Sequence, residues 1–317
     1  MSDFWNNRIT NRDFITVGVT CAIGWVFSYL AIYVFEDYAF GLFVWLPFVL
    51  GAISTLIYSY KNVTTRKTLR NISYWTLLFF CLGLLFFAWE GVICLIMAAP
   101  IGFFFTWIGH LIGYEFVKHK ITGTPTAVIL LFFSVPCLMA FENANETPDK
   151  LRTIVTTIDI DAAPEEVWKN VVEFPQLQEP TEFIFKTGIA YPINATITGK
   201  GVGAIRSCNF STGNFIEPIT VWNEPKLLKF SVVEQPAPMT ELSMYDIEPN
   251  HIHGYWVSKQ GQFKLTKLPN GHTLLEGTTW YFNKIKPGAY WTLWSDYIVH
   301  KIHNRVLQHI KVNAEKS

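Results

Sequence analysis

LRTIVTTIDIDAAPEEVWKNVVEFP, residues 151–175, decides how the second half of this chain is read. Ile154, Thr156, Ile158 and Ile160 alternate with Val155, Thr157 and Asp159, the period-two pattern of a strand with one buried face. Asp161 or a neighbour then serves as a helix cap, Pro164 stands near the helix start, and Glu165 and Glu166 fill its first turn. Val167, Trp168, Val171 and Val172 give that helix an apolar side. A strand followed at once by an amphipathic helix predicts a water-soluble α+β domain over 150–317.

Upstream, the pattern is of another kind. Half of the 317 residues are hydrophobic and 16% are charged, whereas an ordinary soluble domain carries about 25% charged residues. The deficit is concentrated in residues 1–141, which hold eight of the 25 Lys/Arg and six of the 25 Asp/Glu. Crossing hydrocarbon takes about 20 apolar residues. Five segments meet that need, 14–35, 38–60, 72–89, 91–116 and 124–141, all free of Lys and Arg. They predict an all-α transmembrane region over 1–142. His110 and Glu115, close to Lys118 and Lys120, read as interfacial groups in touch with headgroup water.

Loop charge sets an expected orientation. The connector 61–71 carries Lys61, Arg66, Lys67 and Arg70, and the next loop on that side carries Lys118 and Lys120. The opposite connectors carry Glu36, Asp37 and Glu90. The positive-inside rule puts the basic loops and the N-terminus in the cytoplasm. Five spans then leave the soluble domain extracytoplasmic. A re-entrant 124–141, with Pro125 and Pro136, would reverse that side. Zero formal net charge argues against nucleic acid as a partner. No Cys/His spacing points to zinc, and no cofactor motif appears.

Beyond residue 188 come strands over 194–200, 202–211, 214–223, 226–234, 255–268 and 272–283, then a helix opened by Pro287-Gly288. Trp291, Trp294, Ile298, Ile302, Val306 and Ile310 form one stripe of that helix. The order is strand, two short helices, six antiparallel strands, long helix. Together with IDIDAAPEEVWKNVVEFP at 158–175, GVGAIRSCNFSTG at 201–213, EPITVWNEPKLLKF at 217–230 and LEGTTWY at 275–281, it resembles the START-like (SRPBCC) superfamily, which includes polyketide cyclase/dehydrase-type proteins and lipid-transfer domains. The resemblance implies a helix-grip fold: a curved antiparallel sheet around a long C-terminal helix, with an apolar cavity between them.

Alternation predicts what faces that cavity. A two-residue turn at Thr212-Gly213 pairs Cys208 with Glu217 and Arg206 with Ile219, placing Arg206 and Glu217 as diagonal neighbours on the apolar face. A two-residue turn at Asn270-Gly271 pairs Leu265 with Glu276 and Phe263 with Thr278, which turns Glu276, Thr278 and Trp280 inward. Buried charge needs a partner. Arg206 with Glu217 or Glu276 therefore reads either as an internal salt bridge or as groups that hold a ligand's polar end, with Trp280, Tyr255 and Phe263 as wall. His251 and His253 form a polar rim with His300 and His303, the last two sharing a helix side with Asp296. No metal is expected, since HxH alone is a weak signal. The Pro-rich stretch 235–254 has the length of a lid or binding loop.

The sequence thus predicts a multi-pass membrane protein whose partners are the bilayer and a hydrophobic small molecule or lipid. The alternatives are a cyclase/dehydratase-like or hydrolytic enzyme using Glu217, Glu276 and Arg206, and a non-catalytic assembly or sensor protein. The absence of a nucleophile motif or phosphate loop leans the reading away from an enzyme.

Overall fold

The computed structural model describes residues 10–316 apart from 37, 62–63, 120–123, 146–149, 244, 246 and 248–252. Asp37, Lys120, His251 and part of the 235–254 stretch therefore lie outside the described residues. The chain divides into two compact units, residues 1–147 with 243–250 and residues 148–242 with 251–317.

The first unit is helical. Helix α1 (Asn11–Tyr29) runs on into a π-helical turn, Leu30–Val34, and α2 (Leu46–Ser59) is preceded by another, Gly41–Trp45. Helices α3 (Arg66–Phe86), α4 (Val92–His119) and α5 (Thr124–Ala144) follow. Among the described residues, five helical stretches are long and apolar enough to cross a membrane. Helix α3 starts earlier than its apolar run because Thr65 caps it, accepting from the Thr68 amide at 3.2 Å. Arg66, Lys67 and Arg70 thus ride on its first turns. Pro136 lies inside α5, which nevertheless continues for 21 residues, a length of about 31 Å at 1.5 Å per residue.

Glycines set the closest helix contact in this unit. A Cβ on Gly109 would lie 1.9 Å from the Phe48 carbonyl oxygen, and one on Gly51 would lie 2.1 Å from that of Thr106. The α2 and α4 backbones therefore touch, with Gly109 and Gly113 four residues apart on the contact face, the spacing that lets membrane helices approach closely. Polar side chains gather beside it. Ser54 bonds Ser73 at 3.0 Å, and Thr55 bonds His110 Nδ1 at 3.1 Å. His110 is 1% exposed, so it belongs to the bundle interior and not to the interface expected for it. Packing against the Gly51–Gly109 contact turns α4's neighbouring residue inward, where Thr55 supplies its partner. Glu115 remains exposed beside Lys118 and His119.

The second unit opens with β1 (Arg152–Ile160), α6 (Pro164–Val172) and the short α7 (Phe183–Lys186). Six strands follow: β2 (Pro192–Thr198), β3 (Ile205–Phe210), β4 (Gly213–Asn223), β5 (Leu227–Ser231), β6 (Trp256–Lys267) and β7 (Thr273–Asn283). Helix α8 (Gly288–Ala314) closes the unit. Asp161 is not the cap of α6. Extended Ala163 holds that position ahead of Pro164, while the Asp161 amide donates to Glu315 at 2.9 Å.

All neighbouring strands are antiparallel, in the order β1-β7-β6-β5-β4-β3-β2. Laid flat, seven strands at about 4.8 Å spacing would separate the two edges by roughly 29 Å. Helix α8 packs on both edge strands, β1 and β2, and on β7. A helix is only about 10 Å across, so the sheet must curl into a half-barrel around it. The core fills the grip. Trp168, Val171, Phe174, Leu228, Phe230, Leu265 and Leu275 from α6 and the sheet meet Val306, Leu307 and Ile310 of α8. This is the helix-grip architecture.

Candidate functional site

Strands β3 and β4 are joined by a two-residue turn at Ser211-Thr212, with Phe210 paired to Gly213, two steps away in register from the expected pairing. Gly213 (φ +139) takes the first position of β4 because its backbone lies where a side chain is strained. A two-step shift keeps every side chain on its face. It brings Arg206 directly opposite Glu217, rather than diagonal to it. The two form a salt bridge between Nη1 and Oε2, with side chains 2% and 8% exposed. Arg206 Nε donates to the Val172 carbonyl at 3.2 Å. The guanidinium carbon lies 5.6 Å from the Phe174 ring centre, 5.4 Å from Phe230 and 5.7 Å from Phe263. The result is one buried ion pair in an aromatic cage on the inner face of the sheet.

Burial pushes the Glu217 carboxyl upward, and Arg206 offsets only part of that rise. The neighbouring Cys208 thiol is pushed up to about 12, mainly by burial, which leaves it a poor nucleophile. Gly261 makes the cage possible, since a Cβ there would meet the Phe230 ring at 2.5 Å.

Strands β6 and β7 correct the sequence expectation. Lys267 pairs with Thr273, and the Leu268 amide bonds the His272 carbonyl at 2.8 Å, so the loop is the three residues Pro269-Asn270-Gly271. Gly271 (φ +90) supplies the left-handed position that a three-residue hairpin requires. Changing the loop from two residues to three shifts the register by one and turns β7 over. Leu275, Gly277, Thr279 and Tyr281 now alternate on the inner face. Glu276 stands on the outer face opposite Lys264 and Thr157. Trp280 is on the outer face too, with Lys229 Nζ 4.8 Å from its ring centre. Neither reaches the grip. Phe263 does, through its contacts with Phe230 and Arg206. Tyr255 precedes β6 and is half-buried, while Trp256 stacks on Tyr281 at 5.4 Å in the inward position.

The histidines of α8 are brought together, but with the sheet. Thr156 Oγ1 lies 2.8 Å from His300 Nδ1 and 2.9 Å from His303 Nδ1, and Thr279 Oγ1 lies 2.8 Å from His303 Nε2. One turn earlier, Asp296 accepts from Arg152 Nε at 2.8 Å and from the Tyr281 hydroxyl at 2.7 Å. Burial depresses the His303 pKa to about 4. Hydrogen bonds from Arg152 and Tyr281 outweigh burial and hold Asp296 below the usual carboxylate range. His253 is exposed, in the run before β6. Among the described residues, no group of three or more His, Cys, Asp and Glu is placed to hold a metal ion.

This seam rotates α8 from its expected stripe. The buried positions are Trp291, Ser295, Val299, Val306, Leu307, Ile310 and Ala314, while Trp294, Ile298 and Ile302 are half-buried. The signal available in sequence was the i, i+4, i+7 spacing of Asp296, His300 and His303. What it lacked were the partners on β1 and β7, Arg152, Thr156, Thr279 and Tyr281.

No protein-family model matches the chain, and no curated protein does. The chain is similar to a solved point mutant of norcoclaurine synthase from Thalictrum flavum bound to a transition-state analogue, with 12% identity over 54% of this chain and 98% of that one and a TM-score of 0.35. It is similar to the Zhui aromatase/cyclase of Streptomyces sp. R1128, with 11% identity over 53% and 95% and a TM-score of 0.35. The Aha1 dimer of Colwellia psychrerythraea shows 15% identity over 51% and 98%, with a TM-score of 0.31.

Proposed function

We propose that the sheet unit binds a hydrophobic small molecule or lipid with an oxygen-bearing head, and that the helical unit anchors it to a bilayer. The supporting observation is the Arg206–Glu217 pair, sealed in an aromatic cage on the face that grips α8. A pair of this kind is an expensive way to fill a core, because well-packed hydrophobes of equal volume are as stable or more so. A guanidinium carries five N–H donors in a fixed fork. The Val172 carbonyl and the Glu217 carboxylate leave donors over for a ligand oxygen, and the three rings supply an apolar collar. Covalent attachment to membrane helices raises the local concentration of ligands that live in the bilayer.

Native mass spectrometry of the full-length protein, released from mild detergent, tests this reading. The expected result is a retained hydrophobic mass that is lost in Arg206→Met. Ligand-free protein that also fails to take up a fluorescent fatty acid would overturn it.

A second reading has one observation in its favour. The upward push on Glu217 moves a carboxylate toward the range of a general base. In a cyclase/dehydratase-like or hydrolytic reaction, Glu217 would take a proton and Arg206 would steady the oxyanion. Turnover lost with binding retained in Glu217→Gln would favour this reading.

The proposed placement has the N-terminus in the cytoplasm and the sheet unit outside it. Arg66, Lys67 and Arg70 at the start of α3 and Lys118 at the end of α4 support this, as basic residues gather on the cytoplasmic side. A C-terminal alkaline phosphatase fusion should be active, and a C-terminal green fluorescent protein fusion dark.

A further inference from the structure

The seam between α8 and the edge of the sheet can be read by counting protons. Its row runs His300, Thr156, His303, Thr279, joined by the three hydrogen bonds of 2.8, 2.9 and 2.8 Å described above. With both imidazoles neutral, each of the four groups brings one hydrogen, and the three links are satisfied in either direction. One added proton is accommodated equally well. If it sits on His303, both ring nitrogens donate, to Thr156 and to Thr279, and the Thr156 hydroxyl donates to His300. If it sits on His300, Nδ1 donates to Thr156, whose hydroxyl donates to His303. A second added proton keeps the three links only by aiming both Nδ1 hydrogens at the two lone pairs of the Thr156 oxygen, and the hydrogen of buried Thr156 then has no acceptor in the row. Two imidazolium rings also face each other across one hydroxyl.

We propose that this row is an acid-operated latch: it holds α8 on β1 and β7 while it carries no more than one added proton, and it lets the helix go when it takes a second. Since α8 closes the grip, opening the latch exposes the inner face of the sheet. The latch stands on the α8 seam alone. Its tie to ligand release rests on the binding reading above.

The other charged groups around the row set its bias. Asp296 on α8 feels His300, and Arg152 on β1 and Tyr281 on β7 are engaged by Asp296. His300 is the charged neighbour acting on His303, and it disfavours a second charge there. Helix α6 and strand β2 also pack on α8, but among the described residues they bring no titratable group that acts on His303. The affinity of His303 for a proton is itself low, its pKa being depressed to about 4 by burial. The latch therefore opens only under distinctly acidic conditions.

Hydrogen exchange of the full-length protein in nanodiscs tests the latch without any ligand. Protection of residues 288–314 is compared with that of β4 and β5 at about pH 7 and about pH 4.5, corrected for intrinsic exchange. The wild type should lose protection in α8 by on the order of tenfold more than in β4 and β5. His300→Gln, a change at an exposed position, removes one of the two protons and should abolish most of that excess, read as the ratio of protection at the two pH values within the same variant. An α8 whose protection is indifferent to acid overturns the proposal. So does an acid response that survives intact in His300→Gln. A His303→Gln chain that folds should match His300→Gln. Ligand mass retained or lost in the earlier experiment does not alter any of these outcomes.

Discussion

Removing the Glu217 carboxylate alone should be one of the most damaging single changes in the sheet unit, and removing both partners together should not. Glu217 is 6% exposed and Arg206 2%, so neither charge is relieved by water. At an effective dielectric of about 20 and a contact of about 3 Å, their attraction is roughly 5 kcal/mol. In Glu217→Leu the guanidinium keeps the Val172 carbonyl and its three rings, while the desolvation cost of the removed carboxylate is relieved and offsets about 1–2 kcal/mol of the lost attraction. A net loss of about 3–4 kcal/mol follows, within the range measured when one member of a buried pair is deleted. In Arg206→Met with Glu217→Leu no buried charge is left, and the change should lie within about 1 kcal/mol of wild type. Urea unfolding of the full chain in nanodiscs, read by pulse proteolysis within residues 150–316, measures both. A cost for Glu217→Leu below about 1 kcal/mol would show that the carboxylate is solvated, and the account of the cage would fail. The double variant also separates stability from binding, because it should fold and yet bind no fatty-acid probe.

Other perturbations are set by the same geometry. His303 is neutral in the fold and ordinary when unfolded, so its contribution is complete above about pH 6.5 and is lost as pH falls toward 4. Urea unfolding at about pH 7 and about pH 4.5 should show roughly 2.4 kcal/mol lost from this group, and His303→Gln should flatten that slope. Gly109→Leu places side-chain atoms where the α2 backbone runs and should cost the helical unit at least about 3 kcal/mol. Gly18→Ala, with nothing within 4 Å, is its neutral control in a detergent thermal-shift assay. Gly261→Ala forces the Phe230 ring aside and should cost about 1–3 kcal/mol by pulse proteolysis. Glu276→Gln, on the outer face, should leave stability within about 0.5 kcal/mol of wild type and probe binding unchanged.

The helices of the first unit were legible because lipid-length apolar runs have few other solutions. The strands of the second were legible because alternation survives small errors at their ends. Turns were harder, and the two hairpins show why. At Ser211-Thr212 the predicted turn was misplaced by one residue, but it remained a two-residue turn, so Arg206 and Glu217 stayed on the inner face. At Pro269-Asn270-Gly271 the turn was longer by one residue, and every side chain of β7 changed face. Asn-Gly favours a two-residue turn and equally suits the end of a three-residue one. Only the packing of Leu275 and Gly277 toward α8 decides between them. The inward position of His110 was illegible for another reason. It depends on Gly51 and Gly109 letting two backbones touch, a contact between segments about 58 residues apart that no local pattern announces.

These cases point to what makes the grip selective. The inner face is apolar at α6, β5 and the C-terminal half of α8, where Val306, Leu307 and Ile310 meet Leu228 and Leu265. It carries a polar row in the middle of α8, where Asp296, His300 and His303 meet β1 and β7 beside the small apolar cluster of Ile154, Tyr281 and Val299. A helix held by hydrophobic contact along its whole length would respond to pH hardly at all, since apolar burial is indifferent to protons. One held by hydrogen bonds throughout would lack the apolar interior that houses Arg206. Dividing the helix between the two couples an interior suited to a greasy ligand to a seam that water and protons can reach. If the halves act independently, acid will loosen residues 288–303 while 306–314 stay protected. If α8 moves as one body, both will exchange together.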